Sequence, residues 1–559
     1  MGRAIVRAVC AAAIGLSLFW IGNRIGWHVR LGLESGLGAA AIIDGLEGAL
    51  TVWPPAISMH RADLLVGLGP VAAAGLAWLY RWSDRTTTRD GEEHGSARWG
   101  TPGDIRPFVM PAGRNLLMTA SERLGLDGRR TQRNLNVLVV GSSGSGKTRR
   151  YVIPNLMEAN MSYAVTDPKG EIRASTADRL RERGYEVRCL DLVDPARSDH
   201  FNPMAYIPRG EGMEQAVGRL TANILSNTKD PDAKTGEGFW EDTARNLLNA
   251  LLTWVMLTED HPTLNHAADL LARMEASEHD ESQRSDVDIM FAEARAMADE
   301  RRDARDDMNE EARRFLGGLE YAAGLYRAYE QAPGETKRSI IVTLATRLAP
   351  MRTPAVRAIL GRDDLDLASL ARRRGVLYLV LPDTDGTLNF LAAICYQCLF
   401  ETLIRQADRD PDAERVPVHC FLDEFANTGR IPNFQRLIAT MRSRGVSASV
   451  IVQNHAQGKA MYREEGWETI AGNCDSTLFL GGSEPSTLQW MSKRLGSQTV
   501  TVRDSSESRG ANGSYSVSAK TIRRELMLPE ELALLGTDEC VYILRGVPPF
   551  RSRKLEAKR

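Results

Sequence analysis

The 559-residue chain has almost no net charge, a formal -2. No global positive field steers it to nucleic acid, so such contacts must come from local basic patches or from assembly. Its seven cysteines are odd in number and scattered. That excludes a disulfide framework and points to a reducing compartment. Cys395 and Cys398 form a C-x-x-C inside the apolar run LAAICYQCLFETLI. No second pair and no nearby histidine completes a metal site, so the run reads as a buried core helix. No internal repeat is present, which excludes a solenoid. What is there in quantity is apolar surface: 43% hydrophobic and 25% charged residues, enough for a large core. The length calls for more than one domain, since domains commonly run ~100–200 residues.

The first hundred residues differ from the rest. Ala8 to Gly22 is apolar between Arg7 and Arg24, and Leu64 to Tyr80 is apolar between Asp63 and Arg81. Each is near the lower limit for a membrane-spanning helix, roughly 17–25 residues. The first reaches that length if Arg7 snorkels to the headgroups. No clean small-x-small cleavage site follows it, and a signal peptide would leave the second run unexplained. Two spans are expected, at about 5–22 and 64–80. Arg3 and Arg7 precede the first, and Arg81, Arg85 and Arg89 follow the second. The loop between offsets Arg24, Arg30 and Arg61 with Glu34, Asp44 and Glu47. This balance predicts both ends in the cytoplasm, with the bulk of the chain there too.

Farther on comes NLNVLVVGSSGSGKTRRYVIPNL. Val137 to Val140 reads as a short buried strand. It runs into Gly141, Ser142, Ser143, Gly144, Ser145, Gly146, Lys147 and Thr148, a full match to G-x-x-x-x-G-K-[ST]. Glycines let backbone N–H groups wrap phosphates without side-chain clashes. Lys147 is expected on the β- and γ-phosphates and Thr148 on Mg²⁺. The following helix aims its positive end at the anion. Pro154 should bend that helix or end its first turns early.

A second apolar run, VPVHCFLDE, ends in Asp423 and Glu424. In a phosphate-loop fold this strand is expected beside the first. Asp423 then holds the metal's water shell, and Glu424 accepts a proton from the attacking water. A third run, VSASVIVQNHAQ, ends at Gln453, which can sense the γ-phosphate or orient water. Arg442 and Arg444 lie between the acids and that strand. An arginine pointing away from its own site can complete a neighbour's.

Further strand-like runs are Ser162–Thr166, Glu186–Asp191, Gly375–Leu381, Thr477–Leu480 and Cys540–Leu544, separated by helical stretches. The alternation predicts an α/β fold with a mainly parallel sheet. The interval from Asp191 to Gly375 is too long for one crossover and has helical periodicity with mixed charge, so an all-α insertion is expected there. Residues 503–519 are Ser/Gly-rich and read as a mobile loop.

The stretches HGSARWGTPGDI, VTDPKGEI, GFWEDTARNLLNALL, FLDEFANTGRIPNFQRLIATMRSRG, GNCDSTLFLGGSEPSTLQWMSKRLG and RRELMLPEEL together resemble type IV secretion coupling proteins of the TraG/TraD group. The resemblance spans nearly the whole chain. It implies a RecA-like phosphate-loop ATPase at 91–195 and 345–559, a helical subdomain at 196–344, and a two-helix transmembrane anchor at 1–90. It also implies ATP and Mg²⁺ as cofactors and a homo-hexameric ring at the inner membrane. The ring would recruit single-stranded DNA with its relaxase, or protein effectors, and pass them to the type IV secretion channel. By motif, Lys147 and Thr148 match the phosphate-loop pair, Asp423 and Glu424 the metal-holding and catalytic acids, and Gln453 the sensor. Arg442 matches the arginine finger, with Arg444 as alternative. One departure is Asn454, where serine is expected. Two other readings are a receptor for protein effectors that ATP merely assembles, and an FtsK-like translocase. The intact Lys147, Asp423 and Glu424 favour hydrolysis over the first. The short stretch after residue 545 leaves the second no separate DNA-reading domain.

Overall fold

The computed structural model describes residues 2–51, 56–83, 91–229, 238–277, 279, 283–301, 303, 307–382, 385–508 and 514–556. They form two compact units, Met1–Glu93 and His94–Arg559.

In the first unit, helix Gly2–Glu34 packs along helix Arg61–Ser83. Glycines permit the approach: a Cβ on Gly22 would stand 2.9 Å from the Val66 carbonyl oxygen, and one on Gly67 3.0 Å from that of Phe19. The stretches Val9–Glu34 and Arg61–Arg81 are long and apolar enough to cross a membrane. The first helix runs on past Gly22 because its arginines find partners within the unit. Arg24 donates to the Ala49 carbonyl at 2.9 Å, and Arg30 pairs with buried Asp63 at 2.9 Å.

The second unit has a two-stranded ribbon, β1 (Asn115–Leu117) and β2 (Arg123–Gly125), and a nine-stranded sheet. The sheet strands are β3 (Val137–Val140), β4 (Ser162–Pro168), β5 (Glu186–Asp191), β6 (Gly375–Leu381), β7 (Val418–Leu422), β8 (Val446–Val452) and β9 (Ser476–Phe479). After a hairpin, β10 (Ser497–Ser508) and β11 (Ser514–Glu525), come β12 (Glu539–Leu544) and β13 (Phe550–Arg553). The sheet order is β13-β12-β9-β3-β8-β7-β4-β6-β5. Strands β9 through β5 in that order pair in parallel, and β12 and β13 are antiparallel.

The strands are apolar almost throughout because both faces are covered. Leu138 and Val140 enter one core and Val137 and Val139 the other, following the two-residue period of a strand. Helix Asn389–Arg409 lies in the first core and buries Cys395 and Cys398, both free thiols. Between β5 and β6 the described residues hold helices and no strand, among them Met213–Asn227, Gly238–Thr258, Asp286–Glu300 and Glu310–Glu330. Their buried Leu247, Leu251, Phe291 and Tyr326 continue the core that Leu138 enters, and Phe291 stacks on Tyr326 at 4.1 Å.

Two expectations need correction. The strand bearing the two acids is not beside the phosphate-loop strand, for β8 stands between them. Its seven buried residues let it sit at the sheet centre. The run 503–519 is not a loop. Residues 503–508 and 514–519 belong to β10 and β11, paired from Ser497↔Glu525 to Ser508↔Ser514. Alternating Val500, Val502 and Ile522 carry the strand pattern that the serines disguise. Residues 509–513 lie outside the described residues. The GSARW stretch anchors this hairpin, with the Ala97 N–H donating to the Ser497 carbonyl at 2.9 Å. A Cβ on Gly95 would meet that same carbonyl oxygen at 2.2 Å, so only glycine fits.

Candidate active site

The parallel strands all end on one edge, and there the phosphate loop, Gln453 and the two acids converge. This is where open α/β sheets bind ligands. Gly144 and Gly146 have φ of 76° and 94°, conformations open to glycine and costly for other residues. The loop curls over the end of β8, with the Gly141 N–H on the Val452 carbonyl at 3.1 Å. Lys554 clamps it from outside through the Ser145 carbonyl at 2.9 Å. Buried Lys147 donates to the carbonyls of Gly141 at 2.9 Å and Ser142 at 3.1 Å. Burial pulls its pKa down, and the carboxylates of Asp423 and Glu424 oppose that.

Thr148 donates its hydroxyl to Asp423 Oδ2 at 2.7 Å. The loop thus spans the intervening strand and joins the first acid. Asp423 is fully enclosed; burial pushes its pKa up, against the Thr148 hydroxyl and the Lys147 charge. A buried carboxylate beside a hydroxyl and an ammonium is a donor set that fits a divalent cation with a polyphosphate. Glu424 has φ 47°, a left-handed conformation costly for a side chain with a Cβ. That turn lifts it off the strand axis, and Asn427 donates to its Oε2 at 2.9 Å. The cleft has a volume of about 370 Å³.

After Thr148 the chain makes a π-wound turn to Val152 and then a short α-turn, Ile153–Leu156. Pro154 lies in the first turn of the latter, where a missing N–H costs little. Tyr151 bonds Ser449 at 2.8 Å. Buried His419 sits with Nε2 2.8 Å from Ser449 and Nδ1 2.8 Å from Ser447. This chain ties the phosphate-loop turn to β8 and β7. Burial holds His419 down at about 3, so it stays neutral.

Gln453 follows β8, and its N–H donates to Gln457 Oε1 at 3.1 Å. Asn454 caps the next helix by accepting the Gln457 N–H at 2.9 Å. Serine and asparagine serve that role equally, which explains the departure at this position.

Arg442 and Arg444 are not brought to this cleft. They lie on the turn Met441–Arg444 before β8, at the opposite edge from Gln453. A strand of seven residues separates the edges by roughly 20 Å. Arg442 donates to the Gly128 carbonyl at 2.8 Å beside the exposed Arg129 and Arg130. Arg444 pairs with Asp408 at 2.8 Å.

Sequence reasoning assigned no role to Lys169, Glu171, Arg149 or Asn427. The first three line the cleft with the phosphate loop and the acids. The signal lay in VTDPKGEI, where Pro-Lys-Gly after an apolar run marks a turn at a strand end.

A parallel sheet with a glycine-rich phosphate loop and, two strands away on the same edge, paired acids defines a phosphate-loop nucleotide-binding protein. The profile of the family described as "Type IV secretory system Conjugative DNA transfer" matches residues 115–556. The chain belongs to that family. It is 25% identical over 484 residues to Protein VirD4 of Agrobacterium fabrum, covering 84% of this chain and 66% of that protein. It is 26% identical over 571 residues to the conjugal transfer protein TraG of Escherichia coli, covering 89% and 84%. The chain thus spans just under two thirds of the VirD4 relative. The conjugative coupling protein TrwBdeltaN70 has the same fold, with a TM-score of 0.58 at 16% identity over 84% of this chain and 97% of that one. TrwB has also been solved with the ATP analogue ADPNP, with a TM-score of 0.58 at 17% identity over 83% of this chain and 94% of that one.

Proposed function

We propose that this chain is a membrane-anchored ATPase that couples a transferred substrate to a type IV secretion channel. The observation that carries the reading is the Thr148–Asp423 bond at 2.7 Å next to the lifted Glu424, within a complete phosphate loop. Mere binding would not call for a strained acid beside the metal-type pair. The family and the relatives, named for VirD4, TraG and coupling protein TrwB, support the transfer role.

Lys147 and the loop N–H groups bind the ATP phosphates. Thr148 and Asp423 would hold Mg²⁺, which when bound neutralises charge on the phosphoryl oxygens. Glu424, oriented by Asn427, accepts a proton from water as its oxygen attacks the γ-phosphorus. The bond to the β–γ bridging oxygen breaks, releasing ADP and phosphate. Gln453 orients that water or reads the γ-phosphate. Arg442 acts on a neighbour's nucleotide in a homo-hexameric ring, with Arg444 as the alternative. The N-terminal unit holds the ring at the inner membrane as a two-pass anchor, with the bulk of the chain in the cytoplasm. The all-α insertion, 196–344 between the two parts of the nucleotide domain at 91–195 and 345–559, meets the cargo. The cargo is single-stranded DNA with its relaxase, or a protein effector.

The test is ATP turnover by the full chain in detergent with Mg²⁺. Glu424→Gln is expected to bind ATP with wild-type affinity and lose on the order of 10²-fold or more in kcat. Wild-type turnover in that variant would refute the general-base role.

A further inference from the structure

The nucleotide cleft has a cation that the family motifs for ATP chemistry leave unused. Strand β4 neighbours β7, with Val165 opposite Phe421. Two residues farther along, Asp167 therefore lies beside Asp423, on the flank away from the phosphate loop. After Pro168 the chain turns through Lys169 and Gly170, with φ of 71° and 76°. Gly170 adopts that conformation freely, whereas Lys169 carries a Cβ that resists it. The turn is held from three directions. The Lys169 N–H donates to the Leu381 carbonyl at 3.2 Å, and the Gly170 N–H to that of Asp167 at 3.4 Å. The buried Asp167 carboxylate accepts the N–H groups of Ile172 at 3.0 Å and Arg173 at 2.7 Å, fixing the start of helix Glu171–Glu182.

This rigid, costly turn places Lys169 on the wall of the cleft that also holds Gly144, Lys147, Thr148, Asp423 and Glu424. Glu424 sits on the matching left-handed turn at the end of the adjacent strand. Two neighbouring strands thus end alike, each with a charged residue in a strained left-handed turn that lines the same cleft. Lys147 comes from the loop side, and Lys169 comes from beyond Glu424.

We propose that Lys169 contacts the terminal phosphate of the bound triphosphate, opposite Lys147, and so makes the cleft prefer ATP to ADP. This rests on reading the cleft as a nucleotide site. A diphosphate lacks the terminal phosphate, so a cation that meets that group distinguishes the two nucleotides.

The experiment measures affinities of the full chain in detergent for ADPNP and for ADP, each with Mg²⁺, alongside the thermal midpoint. Lys169→Gly removes the ammonium and suits the left-handed backbone, so it is expected to fold. It should lose about tenfold in ADPNP affinity, the scale of one charge-assisted hydrogen bond, while ADP affinity stays within about twofold. Lys169→Arg should keep most of the ADPNP preference. A parallel fall in both affinities, or no change in either, would overturn the assignment of Lys169 while leaving the cleft a nucleotide site. If the wild type bound neither nucleotide, and Lys147→Ala behaved the same, the reading of the cleft would fall and the proposal with it.

Discussion

The two edges of the central sheet are built differently. The edge where the parallel strands end carries buried charge and strained backbone: Lys147, Asp423, and left-handed Glu424 and Lys169. The edge where they begin carries exposed Arg442 on the Gly128 carbonyl and half-buried Arg444 on the Asp408 carboxylate. On the proposed function, one edge performs the chemistry within a subunit. The other offers cations that the same subunit's cleft cannot reach across roughly 20 Å of strand. A subunit that needs both edges for turnover must obtain one of them from a neighbour.

The sharpest break at the chemical edge is Lys147→Ala. It removes the ammonium proposed to meet the phosphates, and nucleotide binding is expected to vanish in a titration with a fluorescent ATP analogue. At the opposite edge, Arg442→Ala should leave binding intact and lower turnover on the order of 10³-fold, the scale of an arginine supplied in trans. Mixing Arg442→Ala with Lys147→Ala subunits tests the division between edges directly. Activity should rise above either variant alone, because some interfaces pair an intact loop with an intact arginine. Mixed oligomers without recovered activity would show that Arg442 does not act across the interface.

Smaller effects refine the comparison. Asn427→Ala frees the Glu424 carboxylate, so kcat should fall roughly tenfold with KM little changed, as expected for loss of about one hydrogen bond in the transition state. Buried His419, near the start of β7, makes the fold sensitive to acid. Its pKa is depressed to about 3 in the folded protein, below the usual 6.5. The unfolded chain therefore binds the proton first, and this contribution to stability is lost as pH falls from about 6.5 toward 3. His419→Gln should flatten the thermal midpoint against pH across that window. The smallest change is expected for Arg444→Ala, whose pair with half-exposed Asp408 contributes about 0–1 kcal/mol. A large loss of turnover in this variant would shift the trans role from Arg442 to Arg444.

Much of this arrangement was legible in the chain. Apolar runs long enough for both faces to be covered located β3 through β9 and β12, because a buried strand leaves a continuous hydrophobic signature. The phosphate loop and the two acids stood out because their chemistry demands particular residue types at short spacing. The hairpin β10–β11 was hidden, since its strands are written in serine and charge with few apolar residues. Lys169 was legible only as part of a strand-end turn, Pro-Lys-Gly, and the cleft that this turn borders is unknown until the strand beside it is placed.

The sequence by itself determined which residues could hold phosphate, metal and water, since local motifs encode local chemistry. It determined the alternation of helix and strand, since periodicity reports burial. Only the tertiary structure decided that β8 lies between the phosphate-loop strand and the acids, so that Gln453 falls between Lys147 and Glu424. Only it decided that Lys169 shares their cleft and that Arg442 lies beyond its reach. Strand order is set by how whole faces pack against one another, and no short stretch of chain contains that information.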